Sequence, residues 1–188
     1  MSGMLRRPLY LIGFMGSGKS TVSRFLSETL HTPKIEMDDL LAERAGKPIT
    51  RIFEEDGEAV FRQMETELLR EIGAGEPAIV SCGGGVVLRP ENVEIMKSTG
   101  MILMLSATPE TIYSRVRHST KRPILNGNMN VEYIAGLMAK RDPAYRAAAD
   151  VTVPIDDKTS EIVAKEIVTI LQADRAKTEP TKTEQPEA

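Results

Sequence analysis

Residues Gly13–Ser20 read Gly-Phe-Met-Gly-Ser-Gly-Lys-Ser, and this stretch decides the fold. The apolar run Leu9–Ile12 precedes it, and apolar residues at helical spacing follow it from Val22 to Leu30. The spacing G-x-x-x-x-G-K-S predicts a loop whose backbone N–H groups surround a phosphate at the positive end of the next helix. Because the motif lies between a predicted strand and a predicted helix, we favour a phosphate-binding loop over a Gly-rich turn without a ligand.

This loop predicts that the chain binds ATP together with magnesium. Gly16 and Gly18 lack side chains that would obstruct the backbone around the phosphate. Lys19 supplies positive charge to the outer phosphates, and the Ser20 hydroxyl ligates the Mg²⁺ that bridges them. We therefore predict ATP as co-substrate, one Mg²⁺ in each subunit, and the ATP-binding residues Gly16, Ser17, Gly18, Lys19, Ser20 and Thr21.

The composition indicates one globular domain. The chain has 188 residues, which suffice for one substantial core but not for two domains of ordinary size. Its net charge of -3 gives no basic field that would attract nucleic acid or an anionic membrane. No apolar run approaches the ~20 residues that cross a bilayer, and Met1–Arg7 lacks the apolar stretch of a signal peptide. With a single cysteine, Cys82, we expect a cytoplasmic protein without nucleic-acid or membrane partners.

Predicted strands and helices alternate through the rest of the chain. The runs Ala78–Val80 and Met101–Leu105 are continuously apolar, as expected of parallel strands covered by helices on both faces. Other strands are predicted at Lys34–Met37 and Val151–Val153, and helices at Asp39–Ala45, Arg51–Asp56, around Val60–Ile72, from Thr108, from about Val131 and through Ile162–Leu171. This order predicts a three-layer α/β/α fold, whose ligands lie at the carboxyl ends of the strands.

Some segments are predicted in more detail. Val60, Met64, Leu68 and Ile72 recur every four residues and are expected to face the core of their helix. The polar stretch from His118 to Asn130 has little to bury and is predicted to be a mobile flap. Beyond Asp174 the sequence has no core-forming residue, so we predict a single domain over 1–173 and a disordered tail over 174–188.

Four further motifs follow the loop along the chain. They are Phe61-Arg62-Gln63-Met64-Glu65, Gly83-Gly84-Gly85, Arg122-Pro123-Ile124-Leu125 and Arg141-Asp142-Pro143-Ala144-Tyr145. Together with the loop and Asp38, they resemble the shikimate kinase family in order and spacing, from Leu9 to about Leu171. The resemblance implies a nucleoside-monophosphate-kinase-like fold with a five-stranded parallel sheet, a substrate-binding insert around 38–65 and a lid around 115–130. It also implies a monomer that uses ATP and magnesium to phosphorylate the 3-hydroxyl of shikimate, on the pathway to chorismate and aromatic amino acids.

The chemistry of the acceptor agrees with this resemblance. A small polyhydroxylated carboxylate needs cations for its carboxylate, for which Arg62 and Arg141 are suited, and acceptors for its hydroxyls, for which Asp38 is suited. Asp38 is also the candidate that orients the attacking hydroxyl and accepts its proton. The segment Gly83, Gly84 and Gly85 completes the predicted substrate site, since Gly84 allows close backbone approach.

Each of these side chains also has an ordinary structural interpretation. Asp38 could be the N-cap of the short helix that follows it. Arg62 could form a surface ion pair with Glu65 or Glu58. Arg141 could be an exposed cation near the end of a helix. The joint occurrence of the motifs favours the functional interpretation of all three.

Arginines of the predicted lid complete the expected ATP site. Arg122 would close over ATP, add positive charge to the transferring phosphoryl group and help to exclude water. The resemblance places Arg115 near the adenine, and Arg115 or Arg117 could share the work of Arg122. Cys82 is interpreted as a packed thiol rather than a nucleophile, because phosphoryl transfer to an alcohol needs no covalent intermediate.

One position departs from the family pattern. The family has Asp-x-Asp where this chain has Glu36-Met37-Asp38. The first aspartate of that pattern holds water on magnesium, and Glu36 keeps its charge on an arm longer by one methylene. Glu36 is therefore expected to contact the magnesium through water with altered geometry.

Two other functions are compatible with parts of the sequence. A gluconate or nucleotide kinase would share the phosphate loop and the lid, but a nucleotide acceptor needs a base pocket and gluconate has no obvious need for the arginine pair. A nucleotide-binding regulatory module that has lost catalysis would not need Asp38 or Arg122. These considerations favour the shikimate kinase interpretation.

Overall fold

The computed structural model describes residues 5–117 and 130–178. The strands are β1 (Leu9–Ile12), β2 (Lys34–Glu36), β3 (Ile79–Ser81), β4 (Met101–Ser106) and β5 (Val151–Pro154). The helices are α1 (Lys19–Leu30), α2 (Met37–Ala45), α3 (Ile49–Glu55), α4 (Glu58–Ala74), α5 (Pro90–Thr99), α6 (Pro109–Val116), α7 (Val131–Ala148) and α8 (Ser160–Thr178), with a short 3₁₀ helix at Val86–Leu88. None of the helices in the described part of the chain is both long and apolar enough to span a bilayer.

The strands form one five-stranded parallel sheet in the order β2-β3-β1-β4-β5. Strand β1 lies at its centre, with Leu9 opposite Ile79 on one side and Met101 on the other. This confirms the predicted fold class. Because all strands are parallel, their carboxyl ends meet at one edge, and the segments that follow β1, β2 and β3 meet there.

Helices cover both faces of the sheet. Tyr10 and Ile12 of β1 belong to a core layer that includes residues of α4, α5 and α7. Leu9 and Leu11 point to the other layer, which includes residues of α1 and α8. Each of these four side chains of β1 is 0% exposed, so alternate residues of one strand supply both cores.

The apolar stripe predicted for α4 is partly wrong. Val60 is 45% exposed, whereas Leu68 and Ile72 are buried as expected. The buried face instead begins at Phe61 and includes Glu65, which is 0% exposed. The four-residue repeat drifts around a helix of 3.6 residues per turn, so a stripe extrapolated over three turns leaves the core face at one end.

The segment between Gly85 and Met101 forms two helices that the sequence pattern did not predict. It forms the 3₁₀ helix Val86–Leu88 and then α5, whose first residue is Pro90. Proline at the start of a helix is a recognisable signal, because its missing N–H would have no partner there. The interior of α5 is weakly patterned, since only Asn92 and Met96 are buried, and this explains why periodicity did not reveal it.

The limits of some other elements also differ from the predictions. Helix α2 begins at Met37 rather than Asp39, so Asp38 lies in its first turn and is not its N-cap; that position belongs to Glu36. Helix α8 continues to Thr178, so the prediction of a disordered tail from 174 is wrong for 174–178. Alanines and long charged side chains favour helix there, and Asp174 pairs with Arg7 at 3.9 Å. Residues 118–129, most of the predicted lid, and 179–188 lie outside the described residues.

Candidate active site

The phosphate loop joins β1 to α1 in a conformation that only glycine adopts readily. Gly16 and Gly18 have φ of 80° and 90°, in the left-handed region, and Gly18 is the N-cap of α1. A Cβ on Gly16 would lie 2.6 Å from Cγ1 of Val116, so the loop also packs tightly against α6. Lys19 Nζ donates to the carbonyl oxygens of Gly13 at 2.8 Å and Phe14 at 3.2 Å. These two contacts hold the Lys19 side chain across the loop, at the place where a phosphate is predicted to bind.

A cavity of about 610 Å³ opens at the carboxyl ends of β1, β2 and β3. Met15, Gly16 and the residues from Gly18 to Thr21 line one part of it, whereas Ser17 of the same loop is buried and is not among the lining residues. Glu36, Asp38 and Gly84 line another part. The sequence-predicted nucleotide loop and part of the predicted acceptor site therefore open into the same space.

A cluster of hydroxyls surrounds Glu36 beside the phosphate loop. Ser23 donates to Glu36 Oε1 at 2.9 Å, and Ser20 Oγ lies 3.5 Å from Ser81 Oγ. Burial of Glu36 opposes its ionisation, but hydrogen bonds from Ser81, Ser23, Ser20 and Lys34 outweigh that effect and lower its pKa below the ordinary value. Glu36 therefore stays ionised next to Ser20.

The residues near Ser20 fit a magnesium ion that is bound to ATP. A hydroxyl and an ionised carboxylate are oxygen donors of the kind that Mg²⁺ prefers, and Mg²⁺ usually keeps several waters and phosphate oxygens as well. Within 5–117 and 130–178, no three His, Cys, Asp or Glu side chains form a metal-binding cluster. One hydroxyl and one carboxylate are a donor set that fits a Mg²⁺ ion whose other ligands are phosphate oxygens and waters.

Asp38, Glu65 and Gly83 come together on the acceptor side. A Cβ on Gly83 would lie 2.7 Å from Asp38 Oδ1 and 2.9 Å from Glu65 Oε1, so two carboxylates flank this glycine. Among the residues that the structure describes, no group donates a hydrogen bond to Glu65 Oε1, although that atom is buried. Burial, opposed by Arg62 and reinforced by Asp38, raises the pKa of Glu65 above its ordinary value.

Arg62 is held by two glutamates of its own helix. Its Nη1 donates to Glu65 Oε2 at 2.6 Å, and its Nη2 donates to Glu58 Oε1 at 3.0 Å. The Glu65 side chain is only 1% exposed, so this is not the surface pair that the structural interpretation offered. The guanidinium also lies against the Gly-rich segment, because a Cβ on Gly85 would come within 2.7 Å of Arg62 Cζ. Any side chain at Gly85 would displace Arg62.

Arg141 lies in the middle of α7, one turn from Tyr145, and not at a helix end. Its guanidinium lies 5.9 Å from the centre of the Phe14 ring. Burial, opposed by the charge and hydrogen bond of Arg141, raises the pKa of Tyr145 to about 12. The Tyr145 hydroxyl donates to the carbonyl oxygen of Gly84, which connects α7 to the Gly-rich segment. Arg62 thus lies against the Gly-rich segment directly, whereas Arg141 is connected to it through Tyr145, and neither arginine is among the residues that line the cavity.

The remaining predicted residues have mixed outcomes. Arg115 lines the cavity, where its Nη1 donates to the Ser17 carbonyl oxygen at 3.3 Å. Arg117, at the end of α6, is exposed. Arg122 lies outside the described residues. Cys82 is buried, its thiol contacts the Val80 carbonyl oxygen at 3.9 Å, and burial raises its pKa above the ordinary value, as suits a packed thiol.

Several residues of the site were not predicted from the sequence. Lys158 and Thr159, just before α8, and Ser160, its first residue, line the cavity, and Ser160 and Arg115 both lie beside Gly18. Asp39 also lines it, and Glu65 supports Arg62. The connection after β5 carries a signal that could have found the first group, since any segment at the carboxyl end of a parallel strand is a ligand candidate. Glu65 had only its place in the Phe61–Glu65 motif to mark it.

Comparison with known sequences gives consistent matches. The chain matches the family model described as shikimate kinase over residues 15–172. It is 41% identical over 157 residues to a shikimate kinase of Dehalococcoides mccartyi strain BAV1, covering 84% of this chain and 89% of that protein. A shikimate kinase of Geobacter sulfurreducens is 40% identical over 166 residues, covering 88% of this chain and 91% of its own.

The fold of this chain also resembles the folds of solved structures. A shikimate kinase from Acinetobacter baumannii in complex with shikimate superposes with a TM-score of 0.84 and 30% identity, covering 90% of this chain and 94% of that one. A gluconokinase from Sinorhizobium meliloti 1021 has a TM-score of 0.58 and 17% identity, over 92% of this chain and 98% of its own. At that identity the second likeness concerns the fold alone.

Proposed function

The chain belongs to the shikimate kinase family, and from this premise we propose that it transfers the terminal phosphoryl group of ATP to the 3-hydroxyl of shikimate. The products are shikimate 3-phosphate and ADP, on the route to chorismate and the aromatic amino acids. One observation supports this assignment most. The phosphate loop and Asp38 open into one cavity, and Asp38 adjoins the Gly-rich segment that Arg62 lies against and to which Arg141 is connected through Tyr145.

ATP enters the cavity with its phosphates in the loop from Gly16 to Thr21. The backbone N–H groups at the start of α1 and the positive end of that helix hold the phosphate oxygens. Lys19 exchanges its contacts with Gly13 and Phe14 for contacts with the outer phosphates, where its charge stabilises the transferring group. Arg115 binds the nucleotide from the side of α6.

Shikimate lies on the other side of the cavity. Arg62 and Arg141 bind its carboxylate, and the backbone of Gly83–Gly85 contacts its ring at close range. Asp38 accepts hydrogen bonds from its hydroxyls, orients the 3-hydroxyl toward the terminal phosphate and accepts the proton that this hydroxyl releases. The two arginines thereby hold the carboxylate of shikimate, and Asp38 holds its reacting 3-hydroxyl.

Magnesium binds together with ATP. The Ser20 hydroxyl would ligate the ion, one in each subunit, and Glu36, which lies among the hydroxyls beside it, would hold a water of its coordination shell. Bound there, the ion neutralises charge on the outer phosphates. The Ser23 hydroxyl, 2.9 Å from Glu36 Oε1, fixes the carboxylate on its longer arm.

The remaining assignments describe the molecule as a whole. The chain forms one domain that includes the whole of α8, to Thr178, with its substrate-binding insert around 38–65 and its lid around 115–130. Arg122 of the lid adds positive charge to the transferring phosphoryl group when the lid closes. The protein acts in the cytoplasm as a monomer, and it binds neither nucleic acid nor membranes.

A direct assay tests this function. The protein is incubated with ATP, magnesium and shikimate, and ADP release is measured. Parallel reactions replace shikimate with gluconate or with nucleoside monophosphates. We expect ADP release that depends on shikimate and fails with the other acceptors. If gluconate or a nucleotide supports faster release than shikimate does, or shikimate supports none, the proposal is wrong.

A further inference from the structure

A buried polar network lies behind the acceptor side of the site and outside the cavity. It consists of Thr66 on α4, Asn92 on α5 and the main chain of the 3₁₀ helix at Val86. Thr66 and Asn92 are both 0% exposed. A buried hydroxyl and amide are costly to desolvate, so their hydrogen-bond partners are energetically important.

The contacts of this network are specific. Thr66 Oγ1 donates to Asn92 Oδ1 at 2.7 Å and lies 3.0 Å from the carbonyl oxygen of Arg62. Asn92 Nδ2 donates to the carbonyl oxygen of Val86 at 3.0 Å. Arg89 Nη1 donates to Thr66 Oγ1 at 3.1 Å. The network thus joins the turn of α4 that carries Arg62 to the main chain that directly follows Gly83–Gly85.

The turn of α4 that carries Arg62 and the Gly83–Gly85 segment must keep a fixed distance from each other. A Cβ on Gly85 would fall within 2.7 Å of Arg62 Cζ, and one on Gly83 would lie 2.9 Å from Glu65 Oε1. With so little room, a shift of the Gly-rich segment against α4 changes where the guanidinium points. A displacement of about 1 Å can reduce a catalytic rate by a factor of up to about a hundred.

We propose that Thr66 and Asn92 are positioning residues for the acceptor: they fix the Gly83–Gly85 segment against α4 and so set the place of Arg62. Neither is among the residues that line the cavity, and the hydrogen bonds that the described residues give them all lie outside the phosphate loop. Their influence falls on the acceptor and leaves the nucleotide unaffected. The inference rests on the proposed shikimate kinase activity, and it adds residues to the same acceptor site.

The chain offers a matched set of variants. Thr66→Val removes the hydroxyl at nearly constant volume, whereas Thr66→Ser keeps it. Thr99→Val is the control, because Thr99 lies at the other end of α5 and its Oγ1 forms a hydrogen bond of 2.8 Å with the Tyr10 hydroxyl. The control therefore removes a comparable internal hydrogen bond away from the acceptor.

The test measures Michaelis constants for shikimate and for ATP, together with hydrogen–deuterium exchange of the amides from Gly83 to Leu88. For Thr66→Val we expect a rise of about tenfold in the shikimate constant, little change in the ATP constant and faster amide exchange. Thr66→Ser and Thr99→Val should behave like the wild type in all three measurements. Asn92→Ala should follow Thr66→Val if it folds, and Thr66→Val alone decides if it does not.

Three results would overturn the inference. An unchanged shikimate constant in Thr66→Val would do so while the wild type remains an active shikimate kinase. Equal rises in both constants, or the same change in Thr99→Val, would indicate a general loss of stability without a positioning role. A wild type with no shikimate-dependent ADP release would instead contradict the proposed function, and the inference would fail with it.

Discussion

Arg62 and Arg141, the two arginines of the acceptor side, differ in the partners that would lose a contact if the arginine were removed. Arg62 pairs with Glu65, which is 1% exposed at its side chain. Arg141 contacts the Phe14 ring and the Tyr145 hydroxyl, neither of which is a buried charge partner of opposite sign. Since a buried charge without its partner is destabilising, we expect Arg62, but not Arg141, to have a structural role in addition to its proposed role in binding.

We therefore expect Arg62→Ala and Arg141→Ala to raise the Michaelis constant for shikimate and to leave ATP binding nearly intact. Arg62→Ala should also lower the free energy of unfolding by about 3 kcal/mol, because Glu65 loses its cation. Arg141→Ala should lower it by less than about 1 kcal/mol. Urea titrations and steady-state kinetics measure both effects. Equal losses of stability would mean that the Arg62–Glu65 pair contributes no more than an exposed one.

Glu65 should also give the protein a distinctive pH dependence. Its pKa is raised in the folded state, so the folded protein binds this proton more tightly than the unfolded chain does. The stabilisation from protonated Glu65 is complete below the ordinary carboxyl range and is lost as the pH rises through its folded pKa. Relative to Glu65→Gln, the wild type should thus lose stability as the pH rises from about 4 toward neutrality.

The measurement compares unfolding free energies of the two proteins across that pH range, so that effects of other carboxylates cancel. Glu58→Gln is the matched control, because it removes the exposed partner of the same arginine. A difference between wild type and Glu65→Gln that stays constant with pH would contradict the raised pKa.

Single residues were predictable from sequence where a motif fixes their chemistry. Lys19 and Ser20 follow from the loop spacing, and Asp38 from its place after a strand. The support of Arg62 by Glu65 was not predictable as a buried pair, because charged residues on a helix are by default exposed. Only the packing of α4 against the Gly-rich segment shows which of the two neighbouring glutamates is inside.

At the scale of elements, helical glycines show how packing decides the effect of one substitution. Gly136 in α7 has nothing within 4 Å of an added Cβ, whereas a Cβ on Gly73 in α4 would lie 2.6 Å from Thr99 Cγ2. Alanine favours helix over glycine by about 1 kcal/mol in both places. Replacing either glycine by alanine therefore gives the same gain in helix preference, but only at Gly73 does the new methyl group overlap a neighbouring side chain.

We expect Gly136→Ala to stabilise the protein by up to about 1 kcal/mol, with unchanged activity. Gly73→Ala should destabilise it by about 1 to 3 kcal/mol, because the new methyl overlaps Thr99 where α4 packs on α5. Chemical denaturation of both variants measures this. A stabilising Gly73→Ala would show that α5 moves aside at little cost.

Elements were predictable in proportion to the regularity of their pattern. The strands β1 and β4 follow from continuous apolar runs, and α6 from Thr108 and Pro109 at its start. Helix α5 was missed because few of its residues are buried. The outward position of Val60 was missed because a local repeat does not state where a helix leaves the core.

In the molecule as a whole, helices pack on both faces of the sheet and form one hydrophobic core on each face. The phosphate loop connects the central strand to α1, so the nucleotide site is continuous with both. We expect a single cooperative unfolding transition, in which circular dichroism and tyrosine fluorescence coincide. A magnesium complex of a non-hydrolysable ATP analogue, at about 100 times its dissociation constant, should stabilise the whole domain by about 2.7 kcal/mol.

That stabilisation corresponds to a rise in the melting temperature of about 5 to 11 °C for a protein of this size. Lys19→Ala should lose most of the rise, while Gly136→Ala should keep it. Two separate transitions, with only one shifted by the nucleotide, would contradict a single domain.

The central position of β1 in the sheet has a consequence for the folding of the nascent chain. Its partners β3 and β4 end only at Ser81 and Ser106, and the buried face of α8 that covers Leu9 and Leu11 extends to Leu171. During synthesis, which proceeds from the amino terminus, the first strand must therefore wait for most of the chain before it can pair and be covered. The nucleotide loop is made before β3, β4 and α8 and becomes competent only after them, so ATP cannot assist the chain until those elements have been made.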